Sequence, residues 1–156
     1  MIKIIQAETP EQIDEARKLF REYEKWLAVD LCFQDFENEL ATLPGKYAKP
    51  EGILLLVLVS KEFAGCIALR KLENGICEMK RLFVRQDFRG RNLGKIVVEK
   101  LIAEARQTGY EKMRLDTLPG KMPQAVKLYK TFGFCEIPPY YKNPHCETIF
   151  LELDLK

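Results

Sequence analysis

The segment Arg85-Gln86-Asp87-Phe88-Arg89-Gly90-Arg91-Asn92-Leu93-Gly94-Lys95 is where residue type and spacing come closest to dictating chemistry. It separates the strand-like run Ile76–Val84 from a stretch with Leu93, Ile96, Val97, Leu101, Ile102 and Ala105 at helical spacing. A turn that opens a helix meets free backbone N–H groups and the positive end of the helix dipole. Gly90 and Gly94 let a ligand approach the backbone closely and permit positive φ. Asn92 is one of the few other residue types that tolerates left-handed geometry. Arg89, Arg91 and Lys95 add positive charge. Binding of a phosphate or pyrophosphate is the chemistry these features predict. A Walker A loop is excluded, because three residues and not four separate Gly90 from Gly94, and Ile96 follows Lys95. The dinucleotide pattern G-x-G-x-x-G is also absent. On charge and glycines alone, a solvated basic helix start without a ligand fits as well.

The elements that must position this turn follow from apolar periodicity. Ile2–Ala7 predicts a first strand. Thr9 caps a helix with Pro10 at its first position and Gln12 three residues on, and Ile13, Ala16, Leu19, Phe20, Tyr23 and Leu27 form its buried face. Phe33–Leu43 predicts a shorter helix, stopped by Pro44-Gly45. The continuous apolar run Ile53–Ser60 predicts a central strand covered on both faces. Cys66–Leu72 and Ile76–Val84 predict a hairpin around Asn74-Gly75. After the polar turn, a helix runs to Thr108 and ends at Gly109. Lys112–Leu118 then reads as a strand, Pro123–Phe132 as a helix, and Phe134–Ile137 and Thr148–Leu155 as the last strands. Hairpins followed by one β-α-β crossover imply an α/β fold with a mixed, mostly antiparallel sheet and helices on both faces.

Composition narrows the class. The 156 residues suit one domain, 1–156, and 47% hydrophobic content provides for a core. A net charge of +2 with interleaved signs demands no nucleic-acid or membrane partner. Five cysteines without C-x-x-C spacing argue against a disulfide framework or a metal site. The first residues do not read as a signal peptide, so a cytoplasmic location is expected. Thr148–Leu155 offers a strand for edge pairing in a homodimer. His145, the one histidine, reads as a surface loop residue.

With the turn in place, the chain resembles the GCN5-related N-acetyltransferase (GNAT) superfamily. Arg89-x-x-Asn92-x-Gly94 resembles that family's Arg/Gln-x-x-Gly-x-Gly/Ala signature, with Asn92 in place of the central glycine. Ala125-Val126-Lys127-Leu128-Tyr129-Lys130-Thr131-Phe132-Gly133-Phe134 resembles its A-x-x-L-Y-x-x-x-G-F segment, with Met122 where an Asn is often found. Glu78–Val84 resembles its fourth strand. Asp116-Thr117-Leu118-Pro119 and the Ile137–Pro144 loop resemble a branch of small bacterial members.

The resemblance implies a GNAT fold whose fourth and fifth strands splay apart beyond a bulge. It implies acetyl-coenzyme A as co-substrate and no metal. The pantetheine arm would lie against Leu82, Phe83 and Val84, bonding backbone groups at Leu82 and Val84. N–H groups from Arg89, Gly90, Arg91, Asn92, Leu93, Gly94 and Lys95 would hold the pyrophosphate. Glu78 is the candidate base, on a face shared with Lys80 and Leu82 where burial would raise its pKa. An exposed strand carboxylate paired with Lys80 or Arg81 is the competing reading. Tyr129 is the candidate acid toward the coenzyme sulfur, against a plain core role. A backbone N–H near Leu82 would meet the oxyanion. Trp26, Phe33, Tyr140 and Tyr141 would wall the acceptor pocket, or simply pack. The expected activity is acetyl transfer to a primary amine of a small molecule or amino acid. Acetylation of protein lysines or N-termini, and a non-catalytic acyl-coenzyme A sensor, are the alternatives.

Overall fold

A computed structural model describes residues 1–31 and 34–156. The chain order is β1 (Ile2–Gln6), α1 (Pro10–Leu27), α2 (Phe36–Ala41), β2 (Ile53–Val59), β3 (Glu62–Glu73), β4 (Ile76–Val84), α3 (Leu93–Thr108), β5 (Lys112–Thr117), α4 (Pro123–Thr131), β6 (Cys135–Ile137) and β7 (Ile149–Asp154). The strands form one seven-stranded sheet in the order β1-β2-β3-β4-β5-β7-β6. Every neighbouring pair is antiparallel except β4 and β5, which run parallel.

The apolar run of β2 alternates between two cores, as a doubly covered strand must. Ile53, Leu55, Val57 and Val59 face the core built with α3, while Leu54 and Leu56 face the core built with α1 and α2. Helix α1 begins as predicted: Thr9 Oγ1 accepts from Gln12 N–H at 3.2 Å, and the Gln12 side chain accepts from Thr9 N–H at 3.1 Å. No helix among the described residues is long and apolar enough to cross a membrane.

Three expectations change. The second helix covers Phe36–Ala41 where Phe33–Leu43 was expected, with left-handed Asp35 (φ 57) at its start. Strand β3 begins at Glu62 and not at Cys66, because Ser60 and Lys61 (φ 49 and 74) close a two-residue hairpin without a glycine or asparagine to announce it. Strand β7 is not an edge: β5 lies on one side, and β6 covers Phe150–Glu152 on the other. The sheet edge expected to serve a homodimer is therefore taken.

Two features of the middle of the sheet shape everything that follows. Strands β4 and β5 pair only at Ile76↔Lys112, Cys77↔Met113 and Glu78↔Arg114, although both continue beyond. Three residues past Glu78, the β3–β4 register shifts between Ala68↔Lys80 and Cys66↔Phe83, and Arg81 takes φ 62. This bulge turns the strand over. Cys77 and Met79 face the α3 side, yet so does Leu82, while Arg81 and Phe83 join the face of Glu78 and Lys80. The expected alignment of Glu78, Lys80 and Leu82 on one face fails for Leu82, because the extra residue inverts the alternation.

The bulge is pinned by charge. Arg81, whose side chain is 2% exposed, donates from Nε and Nη2 to the two carboxylate oxygens of Glu39 on α2, each at 2.9 Å. Its guanidinium also sits 5.1 Å from the Phe36 ring centroid. Removing one partner of a buried pair leaves the other uncompensated. Glu39→Ala should therefore cost about 3 kcal/mol or more in urea unfolding. A loss under about 1 kcal/mol, typical of a surface pair, would contradict the pinning role.

Candidate functional site

Beyond Glu78 the opening between β4 and β5 is lined by a chain of cavities. A groove of about 300 Å³ at the α3 end is bounded by Leu82, Val84, Gly94, Ala125 and Leu128. A narrow cavity of about 50 Å³ occupies the opening itself, with Leu82, Thr117 and Tyr129 in its wall. A third, of about 250 Å³, lies on the α2 side and is lined by Glu78, Lys80, Arg70, Asn38, Thr42 and Tyr141. Lys80 and Gln34 border both the second and the third.

At the α3 end the predicted turn has the backbone an anion cradle needs. Gly90 (φ 84) and Asn92 (φ 60) are both left-handed, and Asn92 makes no side-chain capping bond. The first helical bond runs from Ile96 N–H to Asn92 C=O at 3.0 Å. The N–H groups of Leu93, Gly94 and Lys95 thus have no carbonyl partner among the described residues. At α1 the third of the corresponding donors, Gln12 N–H, is closed by Thr9 Oγ1; at α3 no side chain among the described residues closes it. Gly94 borders the groove, and a Cβ there would come no nearer than 3.7 Å to Leu128 Cδ2. These residues fit a pyrophosphate and an extended arm. Arg89 is turned back, donating from Nε to Val84 C=O at 2.9 Å and lying 4.7 Å from the Trp26 ring centroid. Its side chain braces the turn. Arg91 lies over the Phe88 ring at 5.5 Å.

Tyr129 stands at the opening, 4% exposed, and its hydroxyl makes no hydrogen bond among the described residues. Burial pushes its phenol above the ordinary range, with Tyr23 and Asp116 adding to the effect. It therefore stays protonated, as a proton donor must.

Glu78 is buried, at 1% exposure. Its Oε1 accepts from Arg70 Nε at 2.8 Å and lies 3.7 Å from Lys80 Nζ; its Oε2 accepts from the Tyr140 hydroxyl at 2.6 Å. Burial alone would raise its pKa, as expected from the sequence. The charges of Lys80 and Arg70, with the hydrogen bonds from Tyr140 and Arg70, outweigh burial and hold it below its ordinary 4.5. The expected direction is thus reversed, because desolvation was weighed without the cations around it. Burial also holds the Lys80 ammonium below its ordinary 10.5, despite Glu78.

The predicted aromatic wall divides. Tyr140 reaches Glu78, and Tyr141 donates to Asp116 Oδ2 at 2.5 Å and borders the third cavity. The two rings pack edge-on at 5.6 Å. Trp26, 43% exposed, sits instead beside the α3 groove with Phe83 and Arg89, away from Glu78. Phe33 lies outside the described residues. His145, expected on the surface, is half-buried and borders the narrow cavity.

Arg70 and Asp116 are site residues to which sequence reasoning gave no role, and Lys80 was considered only as a partner of Glu78. Arg70 lies directly across from Glu78 in the β3–β4 ladder. A tight Asn74-Gly75 hairpin would have placed Lys71 there, but a register shift between Lys71 and Glu73 moves the ladder by one.

A model of the acetyltransferase (GNAT) family matches residues 11–134. The chain belongs to the GNAT acetyltransferase family. An uncharacterized N-acetyltransferase of Schizosaccharomyces pombe is 39% identical over 156 residues, covering 99% of this chain and 95% of the relative. Among solved structures, a GNAT acetyltransferase of Staphylococcus aureus superposes with a TM-score of 0.82 at 23% identity, covering 100% of both chains. YncA of Salmonella typhimurium, solved with its cofactor acetyl-CoA, superposes with a TM-score of 0.67 at 16% identity, over 99% of this chain and 94% of that one. In this GNAT chain the divided β4–β5 pair and the open start of α3 occupy one continuous surface.

The electrostatics of Glu78 make a testable claim. Its folded pKa lies below the unfolded 4.5, so its ionised form stabilises the fold above that value. That contribution is lost as pH falls through the lower, folded value. Glu78→Gln should show a shallower loss of urea stability than the parent between about pH 5 and pH 3. Identical slopes would contradict the cation-dominated environment.

Proposed function

We propose that this protein is an acetyl-coenzyme A-dependent N-acetyltransferase that modifies the primary amine of a small molecule or amino acid by direct attack in a ternary complex. The observation that carries this reading is the opening between β4 and β5, which leads from the buried Glu78 to the open N–H groups of α3. An extended amide chain can satisfy strand backbone that has lost its partner. Leu82 and Val84 would bond such a chain, and the Arg89–Lys95 turn would hold its pyrophosphate.

Acetyl-coenzyme A, when bound, would supply an acetyl thioester for the acceptor amine. The Leu82 backbone N–H would face the carbonyl oxygen as charge develops on it. Tyr129 would give its hydroxyl proton to the departing sulfur. Glu78, ionised and bridged to Tyr140, would accept a proton from the acceptor ammonium through water or orient Tyr140 toward the amine. Because its pKa is low, Glu78 acts better as a relay than as a strong base. The third cavity, about 250 Å³ and bounded by α2, favours a small acceptor over a protein tail.

Thiol release from acetyl-coenzyme A with a panel of amines measures the activity. Tyr129→Phe should lower kcat by about a hundredfold while leaving coenzyme affinity near the parent value. An unchanged kcat would remove Tyr129 from the chemistry. Gly94→Val should weaken acetyl-coenzyme A in calorimetric titration by about tenfold or more, at an unchanged melting midpoint. A Cβ at Gly94 meets only Leu128 Cδ2, in ordinary contact at 3.7 Å. Normal binding by that variant would refute the location of the cradle.

A further inference from the structure

The third cavity holds two cations with hydrogen-bond donors that no side chain among the described residues meets. The Lys80 side chain is 9% exposed, and its ammonium has Glu78 Oε1 at 3.7 Å but no hydrogen bond among the described residues. A buried ammonium with open donors is costly. Arg70 commits Nε to Glu78, yet its two Nη atoms make no hydrogen bond among the described residues. Glu78 serves neither fully: Oε1 accepts from Arg70 and Oε2 from Tyr140. Glu39, the other carboxylate on the inner wall, is taken by Arg81 in a two-point pair. Asp35 and Lys46, of opposite charge, are exposed parts of the lining. Of the side chains on the inner wall, Lys80 and Arg70 keep open donors; Asp116, in the wall of the narrow cavity, acts on Lys80 through space but accepts from Tyr141 and makes no hydrogen bond to either cation.

Building on the acetyl-transfer reading above, we propose that the acceptor amine also carries a carboxylate, bound jointly by Lys80 Nζ and the Arg70 Nη atoms. An added carboxylate supplies the acceptor atoms that the ammonium and guanidinium lack. Lys80 borders both this cavity and the opening that holds Tyr129. A carboxylate held there directs the rest of a short molecule toward the opening. The cavity, at about 250 Å³, is just below the range of roughly 300–1,000 Å³ usual for drug-sized ligands. An acceptor the size of an amino acid fits it.

The test is calorimetric titration of the full chain, saturated with coenzyme A, using aspartate, glutamate, leucine, phenylalanine and lysine. Isopentylamine, phenethylamine and 1,5-diaminopentane serve as decarboxylated counterparts of the last three. At least one amino acid should bind more tightly than the amines, and Lys80→Met should weaken it by about thirtyfold or more. Arg70→Gln should weaken it too, with coenzyme A affinity unchanged in both variants. Should Lys80→Met fail to fold, Lys80→Gln takes its place. Equal affinity for amino acids and amines, no binding of any carboxylate, or undiminished binding in the variants would overturn the proposal. Thiol release is recorded on the same panel to separate the two readings. Carboxylate binding that depends on Lys80 without transfer to any amine keeps the anion subsite and refutes acetyl transfer. Transfer that ignores the carboxylate keeps acetyl transfer and refutes the subsite.

Discussion

Past Glu78, β4 loses β5 as a partner while keeping β3 on its other side, and Arg81 decides how the freed length is presented. Its left-handed backbone inserts one extra residue into the strand. Lys80 and Arg81 then fall on one face, while Leu82 and Val84 turn to the other. A non-glycine residue with positive φ is unfavourable on its own. The Glu39 carboxylate and the Phe36 ring hold Arg81 in place, so α2 and the bulge depend on each other. Gly65 matters for the same reason: a Cβ there would lie 2.4 Å from Phe83 C=O, too close for β3 to follow the turned strand. Without the bulge, Leu82 would face α1 and Phe83 would fill the groove.

Charge then sorts the two ends of the opening. Near α3 the positive character comes from open backbone N–H groups and from Arg89, Arg91 and Lys95 around them, Arg89 keeping its charge while it bonds Val84 C=O and packs on Trp26. Near α2 it comes from the buried Lys80 and the half-buried Arg70, which keep Glu78 ionised against its burial. Tyr129 lies between, kept protonated by burial. In our proposal Tyr129 is a proton donor flanked by two anion-seeking regions, an arrangement suited to transfer between a phosphate-bearing donor and an anionic acceptor.

Much of this architecture was legible in the residues. The alternation of β2, the Thr9–Gln12 capping box and the helical period of α3 gave element order and layers, since each rests on local patterning. The αL geometry expected of Asn92 is observed, which supports the reading of the turn as backbone chemistry. What escaped were events that shift register. Ser60-Lys61 closes a hairpin without typical turn residues, the shift beside Glu73 puts Arg70 and not Lys71 opposite Glu78, and the Arg81 bulge inverts Leu82. Alternation fixes a face only while the ladder is regular. The low pKa of Glu78 escaped because burial was weighed alone: Lys80 shares its strand and face, and Arg70 arrives from the adjacent strand only through the shifted register. That Trp26 packs on Phe83 and Arg89 depends on how α1 crosses the sheet, which residue types alone do not encode.

The central claim is that the freed backbone of β4 and the first turn of α3 together receive acetyl-coenzyme A. Amide chemical shifts and hydrogen exchange, recorded by NMR during titration of the full chain with acetyl-coenzyme A, test it most directly. The account predicts that the largest shifts and the gain in protection fall on Leu82, Val84 and the N–H groups from Gly90 to Lys95. Saturable binding that leaves those amides unmoved and perturbs another part of the sheet would contradict it.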